Sequence, residues 1–492
     1  MRTCGVLLPI FSLSSDYGIG CFSKEAYDFV DFLESAGQNY WQILPMGPTS
    51  YGDSPYQSFS TFAGNPYFID VNEFIDAEIV EKTECDAFSC GAGEKADYEK
   101  LYEKRMGLLR LIFERMNLKD SEEYVKFCEE NAFWLDDYAL FMAIKDSFNG
   151  VSWDNWDDDI RMRRPEALEA YSKKCEKEAD FYRFTQFYFF KQWFALKEYA
   201  GNHGVKIIGD IPIYVAYDSS DVWANPELFD LDGDYVPKAV AGCPPDAFSA
   251  TGQLWGNPLY DWAKHRESDY SWWVSRMRIC FKLYDVVRID HFRGFDAFYA
   301  IPYGDKTAEF GEWRQGPGYE LFAVFKKELG DTDVIAEDLG FLTDSVRELV
   351  KKTGYPGMKV LEFAFGGDAG NEYLPHNLSK NSVIYTGTHD NETLKGWYKR
   401  CLKEDKHVAK HIDDYFGGVT VENIDEVFIR AAYSSVCDTC IIPLWDWLGL
   451  GNEARINVPS VLGGNWVWRM KRGALTKALA EKMRKYKELY AR

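Results

Sequence analysis

Three acidic residues far apart in this 492-residue chain each close a short apolar run: Asp290 follows Val286-Val287-Arg288-Ile289, Glu337 follows Val334-Ile335-Ala336, and Asp390 follows Val383-Ile384-Tyr385-Thr386-Gly387-Thr388-His389. Such β-branched, apolar cores read as buried strands whose C-terminal ends emerge carrying charge. Within a strand Arg288 and Asp290 stand two apart and point to the same side, so the guanidinium would favour the ionised carboxylate. The pair could equally be structural, without chemistry. Two carboxyl groups roughly 5 Å apart can cleave a glycosidic bond with retention, one as nucleophile and the other as acid then base. On that chemistry Asp290, charged beside Arg288, is expected as nucleophile, and Glu337, kept protonated, as proton donor. Asp390, preceded by His389, would hold sugar hydroxyls and support an oxocarbenium-like transition state. Taken singly, Asp390 reads as well as a structural cap, and His291 and His389 as satisfied core histidines. The three acids together favour a site.

What must bring them together is a set of strands with their tips on one side. Apolar runs recur at Val6-Leu7-Leu8-Pro9, 40–45, 205–214, 284–295, 333–340, 358–365, 382–391 and 439–444, with helical patterns between them. A helix over Lys24 to Ala36, stopped by Gly37, would connect the first two. Eight strands alternating with helices predict an α/β fold of the (β/α)8 barrel type, one catalytic barrel spanning 1–492, with active groups at the strand C-termini. Two stretches interrupt the alternation. Residues 71–180, rich in Glu and Lys, are expected as a helical insertion between strands two and three, followed by an amphipathic helix near Phe181 to Ala200. Residues 221–262, after strand three, are expected as a long active-site loop, since long loops in compact domains are usually functional. Its segment 242–258 combines stiffening prolines, hinge glycines, Phe248 and Trp255, a composition able to cover a cleft or simply to pack.

Composition narrows the ligand. There are 56 Lys and Arg against 78 Asp and Glu, and the net charge of −22 argues against nucleic acid or anionic membrane as partner. Aromatic residues make up 16% of the chain, and flat rings pack against the apolar faces of sugars. The N-terminal apolar run is too brief for a signal segment, and no run approaches a membrane span. Eleven scattered cysteines fit free thiols in a reducing cytoplasm. Cys437-x-x-Cys440 lacks companions for zinc or redox work, and Asp230 to Asp234 lacks the distal Glu of a calcium loop. Asn391-Glu392-Thr393 is formally a glycosylation sequon, but a glycan beside Asp390 would block the cleft, again favouring the cytoplasm. No metal or cofactor is called for.

The sets Arg288-Ile289-Asp290-His291-Phe292-Arg293-Gly294-Phe295, Ala336-Glu337-Asp338-Leu339-Gly340 and Thr386-Gly387-Thr388-His389-Asp390-Asn391, with Pro244-Pro245-Asp246-x-Phe248-Ser249-x-x-Gly252-Gln253-x-Trp255-Gly256-Asn257-Pro258, closely resemble the 4-α-glucanotransferase family, the amylomaltases or disproportionating enzymes. The resemblance runs from Gly5 to Arg469. It implies Asp290 as nucleophile, Glu337 as acid/base and Asp390 as transition-state stabiliser. It further implies substrate contacts by Ser54, Tyr56, Asp246, Trp255, Arg288, His291, His389 and Asn457, and a second glucan site near Tyr51. Maltooligosaccharides and α-1,4-glucans are the implied partners, and the absence of a segment resembling a starch-binding module implies the compact form. Glu392, where the family pattern has Asp, and Cys243, where it has a more usual apolar residue, are departures that leave the activity intact. Chemistry alone leaves open whether water or a sugar hydroxyl resolves the intermediate. An α-amylase-like hydrolase and a catalytically silent glucan-binding protein are the competing readings.

Overall fold

Strands buried on both faces need apolar side chains throughout, and each of the eight runs supplies them. In the computed structural model, which describes residues 2–91, 93–245, 249–340 and 342–492, with the backbone alone at Tyr51, all eight form parallel strands of one closed barrel. They are β1 (Thr3–Leu7), β2 (Tyr40–Gln42), β3 (Lys206–Ile211), β4 (Val286–Ile289), β5 (Val334–Ala336), β6 (Gly357–Val360), β7 (Ser382–Tyr385) and β8 (Thr439–Pro443). Each pairs with its neighbours in chain order, and β1 closes on β8. Val6, Trp41, Ile207, Val287, Ala336, Met358, Ile384 and Cys440, one from each strand, are wholly buried; Met358 points into the cylinder beside Arg288, whereas Trp41 packs outward on Phe29 of the surrounding helix layer.

Helices pack around it where the sequence places them. Lys24–Ser35 links β1 to β2 and ends before Gly37, whose φ of 71° is the left-handed conformation glycine adopts without strain. Before β3 the chain runs through helices Met106–Arg115, Glu122–Ser147 and Pro165–Lys174 and then a 27-residue helix, Glu176–Asn202, which includes the expected segment. The last helix, Lys477–Tyr490, is capped by Thr476 and lies against Lys24–Ser35. Past it the Arg492 guanidinium donates to the carbonyls of Tyr433, Thr3, Cys437, Ala432 and Ser435, tying the chain's end to the edge where β1 meets β8. Among the described residues, no helix is long and apolar enough to cross a membrane.

The stretch 221–262 is more regular than a loop. Strands Ala239–Cys243 and Gln253–Pro258 pair antiparallel, and the first also pairs with Ala297–Pro302, which pairs with Glu312–Gln315. This four-stranded sheet reaches the end of β4, where Trp255 of its second strand meets His291. The small residues of Ala239–Cys243 give a weak strand signal, and the partner that stabilises them lies beyond a barrel strand.

Candidate active site

The C-terminal ends of β3, β4, β5 and β7 bring their polar residues into one network. Parallel register sets Asp210 of β3 directly beside Arg288 of β4. Arg288 Nη1 donates to both oxygens of Asp210 at 2.7 and 2.6 Å, and Nη2 donates to Asp290 Oδ1 at 2.8 Å. Both Arg288 and Asp210 are buried, whereas the Asp290 side chain keeps 31% of its surface open. A buried guanidinium thus holds one carboxylate in the core and offers a second to the cleft.

Glu337 reaches the same point by a different route. His291 takes a left-handed backbone conformation, φ 52°, uncommon for a non-glycine residue. The turn aims the His291 N–H at Glu337 Oε2, 2.7 Å away, while the Leu339 N–H donates to Oε1 at 2.8 Å. The Glu337 carboxyl therefore bonds the residue next to Asp290. Burial first, and then the Asp290 charge, push the Glu337 carboxyl up to about 7, against the pull of Arg288 and the two backbone donors. Asp290 is also raised above the ordinary aspartate value. Arg288 favours the ionised Asp290, as expected, but its pull is not enough to keep the carboxyl at the ordinary value. Burial and the charges of Asp210 and Asp390 outweigh a cation that is already shared.

Asp390 follows β7. Its Oδ1 accepts from the Asn457 amide at 2.6 Å, and its Oδ2 lies 3.3 Å from His389 Nε2. Burial works against ionisation, but His389, Asn457 and Arg288 overcome it and hold the carboxyl well below the usual range. In return Asp390 raises His389 despite that ring's burial. Tyr56 joins the two halves: its hydroxyl donates to Asp210 Oδ2 at 2.8 Å and lies 2.9 Å from His389 Nε2, with its ring stacked on the imidazole at 5.2 Å. Since the phenolic proton goes to Asp210, the Tyr56 oxygen is left to accept from His389 Nε2–H.

Trp255 stands edge-on to His291 with centroids 4.7 Å apart, and its indole N–H donates to Gln253. Burial, with Arg293 adding, lowers His291 to about 3, so its ring stays neutral. Ser54 Oγ accepts the Tyr56 N–H at 3.3 Å and shapes the turn that presents Tyr56. The structure thus brings Asp290, Glu337, Asp390, Arg288, His291, His389, Asn457, Tyr56, Ser54 and Trp255 to one mouth of the barrel. Asp246 and the Tyr51 side chain lie outside the described residues. Asp210 is the member that sequence reasoning left out of the site. Its signal was a polar residue closing an apolar run one strand before Arg288. Among the described residues, no three His, Cys, Asp or Glu side chains are grouped to hold a metal ion.

The 4-alpha-glucanotransferase family profile matches residues 8–476. A curated 4-alpha-glucanotransferase of Clostridium butyricum is 50% identical over 488 residues, covering 99% of this chain and 100% of the relative. One of Thermus thermophilus is 44% identical over 485 residues, covering 96% of each. Among solved structures, the amylomaltase of Streptococcus agalactiae in complex with acarbose matches with a TM-score of 0.96 at 42% identity over 100% of both chains.

Proposed function

The chain belongs to the 4-alpha-glucanotransferase family, and we propose that it transfers α-1,4-glucan segments by double displacement through Asp290, Glu337 and Asp390. The observation that carries this reading is the Glu337 carboxyl, bonded to the residue next to Asp290 and pushed up to about 7. In the first step protonated Glu337 gives its proton to the glycosidic oxygen as the Asp290 carboxylate attacks the anomeric carbon. The aglycone leaves as an alcohol, and a glycosyl ester to Asp290 remains. In the second step ionised Glu337 takes the proton of an acceptor 4-hydroxyl, whose oxygen displaces Asp290 and restores the starting charges. General acid–base assistance of this kind is worth about 10²–10⁴-fold.

Asp390, held ionised by His389 and Asn457, faces the cleft, where its charge stabilises the developing oxocarbenium ion and its oxygens accept hydroxyl protons. Tyr56, His291, His389 and Asn457 supply further hydrogen-bonding groups, and Trp255 a flat ring. Ser54 acts by shaping the Tyr56 turn. Arg288 positions Asp290. A 242–258 segment able to cover the cleft, as its composition suggests, would exclude water and hold an acceptor hydroxyl in line, favouring transfer over hydrolysis. Maltooligosaccharides fit as donors and acceptors, and acarbose occupies the amylomaltase of Streptococcus agalactiae. By resemblance Asp246 and Tyr51 contribute a further contact and a second glucan site. The helices over 71–180 are read as one insertion on the barrel, and eleven cysteines scattered without framework spacing support a cytoplasmic setting.

Incubation with maltotriose should give glucose plus a ladder of longer maltooligosaccharides. Glucose and maltose without a ladder would refute transfer. Asp290→Asn and Glu337→Gln should each abolish turnover with the fold intact; activity within roughly tenfold of the parent would mean the roles are wrongly assigned.

A further inference from the structure

The four-stranded sheet beside β4 presents a row that the catalytic reading does not use. Cross-strand partners share a face, and register places Leu254, Gly242, Tyr299 and Trp313 side by side across all four strands. Gly242 has no side chain to cover its neighbours, and the row ends in the Trp313 ring. Tyr299 is buried beneath the 303–311 segment, with Val240, Ile301 and Ala308, in a small cluster separate from the main core. Trp313, by contrast, is 44% exposed, and Phe310, three residues before it, is 78% exposed. Large rings left open on an acidic surface are a feature that packing alone does not call for.

Two observations tie this patch to the reacting centre. The Arg293 guanidinium lies over the Trp313 ring, 4.1 Å from its centroid. Arg293 follows His291 by two residues, and its charge is within electrostatic reach of Glu337. Moving outward from Glu337, one therefore meets Arg293 and then Trp313. The wall is also continuous with the residues that lead into the strand bearing Trp255: the Ala308 N–H donates to the Thr251 carbonyl at 2.9 Å, and a Cβ at Gly252 would fall 2.8 Å from that of Ala308. With Tyr299 edge-on at 5.2 Å, the indole is held on one face and at one edge, leaving the rest of its surface to solvent.

Glu337 protonates the oxygen of the departing sugar and later deprotonates the incoming one. Sugar units on its side of the scissile bond are therefore those of the leaving group and the acceptor. We propose that Trp313, braced by Arg293 and Tyr299 and extended by Phe310, is a distal acceptor-side subsite on which an α-1,4-glucan chain stacks a glucose ring. This assignment rests on the double-displacement reading above and adds to it a selectivity for chain length. A neutral sugar is the fitting occupant. Its apolar face matches the open face of the indole, opposite the guanidinium, whereas a chain of net charge −22 repels anionic polymers.

The test compares kcat/KM for maltoheptaose with that for maltotriose, the shorter sugar being the one that the proposal expects not to reach Trp313. Trp313→Ala should lower the ratio about tenfold, mainly through KM for the longer sugar, as expected for loss of a stacking ring. Trp313→Phe should keep most of it. Trp313→Leu retains apolar bulk beside Tyr299 and beneath Arg293 without a flat ring; it should fall as the alanine variant does, and it replaces that variant if the latter does not fold. An unchanged ratio in Trp313→Leu overturns the proposal. So does an equal loss for both sugars, which would mean that the ring only holds Arg293 near Glu337. A parent enzyme that forms no ladder from maltotriose overturns the underlying reading instead, and is seen before any variant is made.

Discussion

Keeping a carboxyl protonated beside another acid costs stability once the solution turns alkaline, and Glu337→Gln measures that cost. In the folded chain Glu337 titrates at about 7, against an ordinary value of 4.5. Its folded pKa is raised, so its contribution is fully present below the unfolded value and is lost as pH rises towards the folded one. Linkage converts the shift into a loss of about 2.5 kcal/mol between about pH 5 and about pH 9. At about 2.1 cal/mol/K per residue, the melting entropy of a chain this long turns that into roughly 2–3 °C. Glutamine carries no titratable proton and escapes the penalty. It also keeps only one acceptor for the two backbone N–H donors of His291 and Leu339, a cost of about 1–3 kcal/mol that does not change with pH. The readout is therefore the difference in Tm between variant and parent, measured by differential scanning calorimetry at several pH values and one scan rate. The difference should move in the variant's favour by about 2–3 °C from about pH 5 to about pH 9. A flat difference, or one moving the other way, would show that Glu337 is not held protonated and would remove the basis for its role as acid.

Turnover should fall on both sides of an optimum. The alkaline limb reflects loss of the Glu337 proton at about 7, and the acid limb protonation of Asp290 above the usual aspartate range; a kcat/KM profile flat through neutrality would contradict both shifts. Asp210→Asn withdraws the charge that receives two Arg288 bonds, and one-sided loss of a buried pair costs about 3–5 kcal/mol. A Tm drop of roughly 3–5 °C with kcat down at least about tenfold is expected, and parental values for both would make Asp210 dispensable. Arg492→Ala strips donors from five carbonyls at the far end of the barrel, so it should lower Tm by a few degrees while leaving kcat for maltotriose unchanged; a changed kcat would reveal coupling across the barrel.

The barrel is legible in the sequence because a strand with no solvent face must be apolar along its length. Val286-Val287 and Ile335-Ala336 therefore stand out, and the acids that end them stand out further. The antiparallel sheet is hidden for the opposite reason. Ala239–Cys243 is built from small residues, and it becomes a strand by pairing with Ala297–Pro302, which the chain reaches only after completing β4. Residue identity also did not reveal the His291 turn. A histidine at φ 52° is unusual, yet that conformation points its N–H at Glu337.

The division of labour between the two acids follows from which carboxylates the buried Arg288 guanidinium bonds. Arg288 gives Nη1 to Asp210 and Nη2 to Asp290, so two carboxylates already draw on a single guanidinium. Asp390 has its own partners in His389 and Asn457. Glu337 is left with backbone N–H groups, which carry no net charge and cannot balance a further anion beside Asp290. It is therefore the acid that keeps its proton. Exchanging the roles would require the guanidinium to turn from Asp290 to Glu337. That would break the relation between residues two apart on one strand, which places the cation beside the nucleophile from the moment β4 forms.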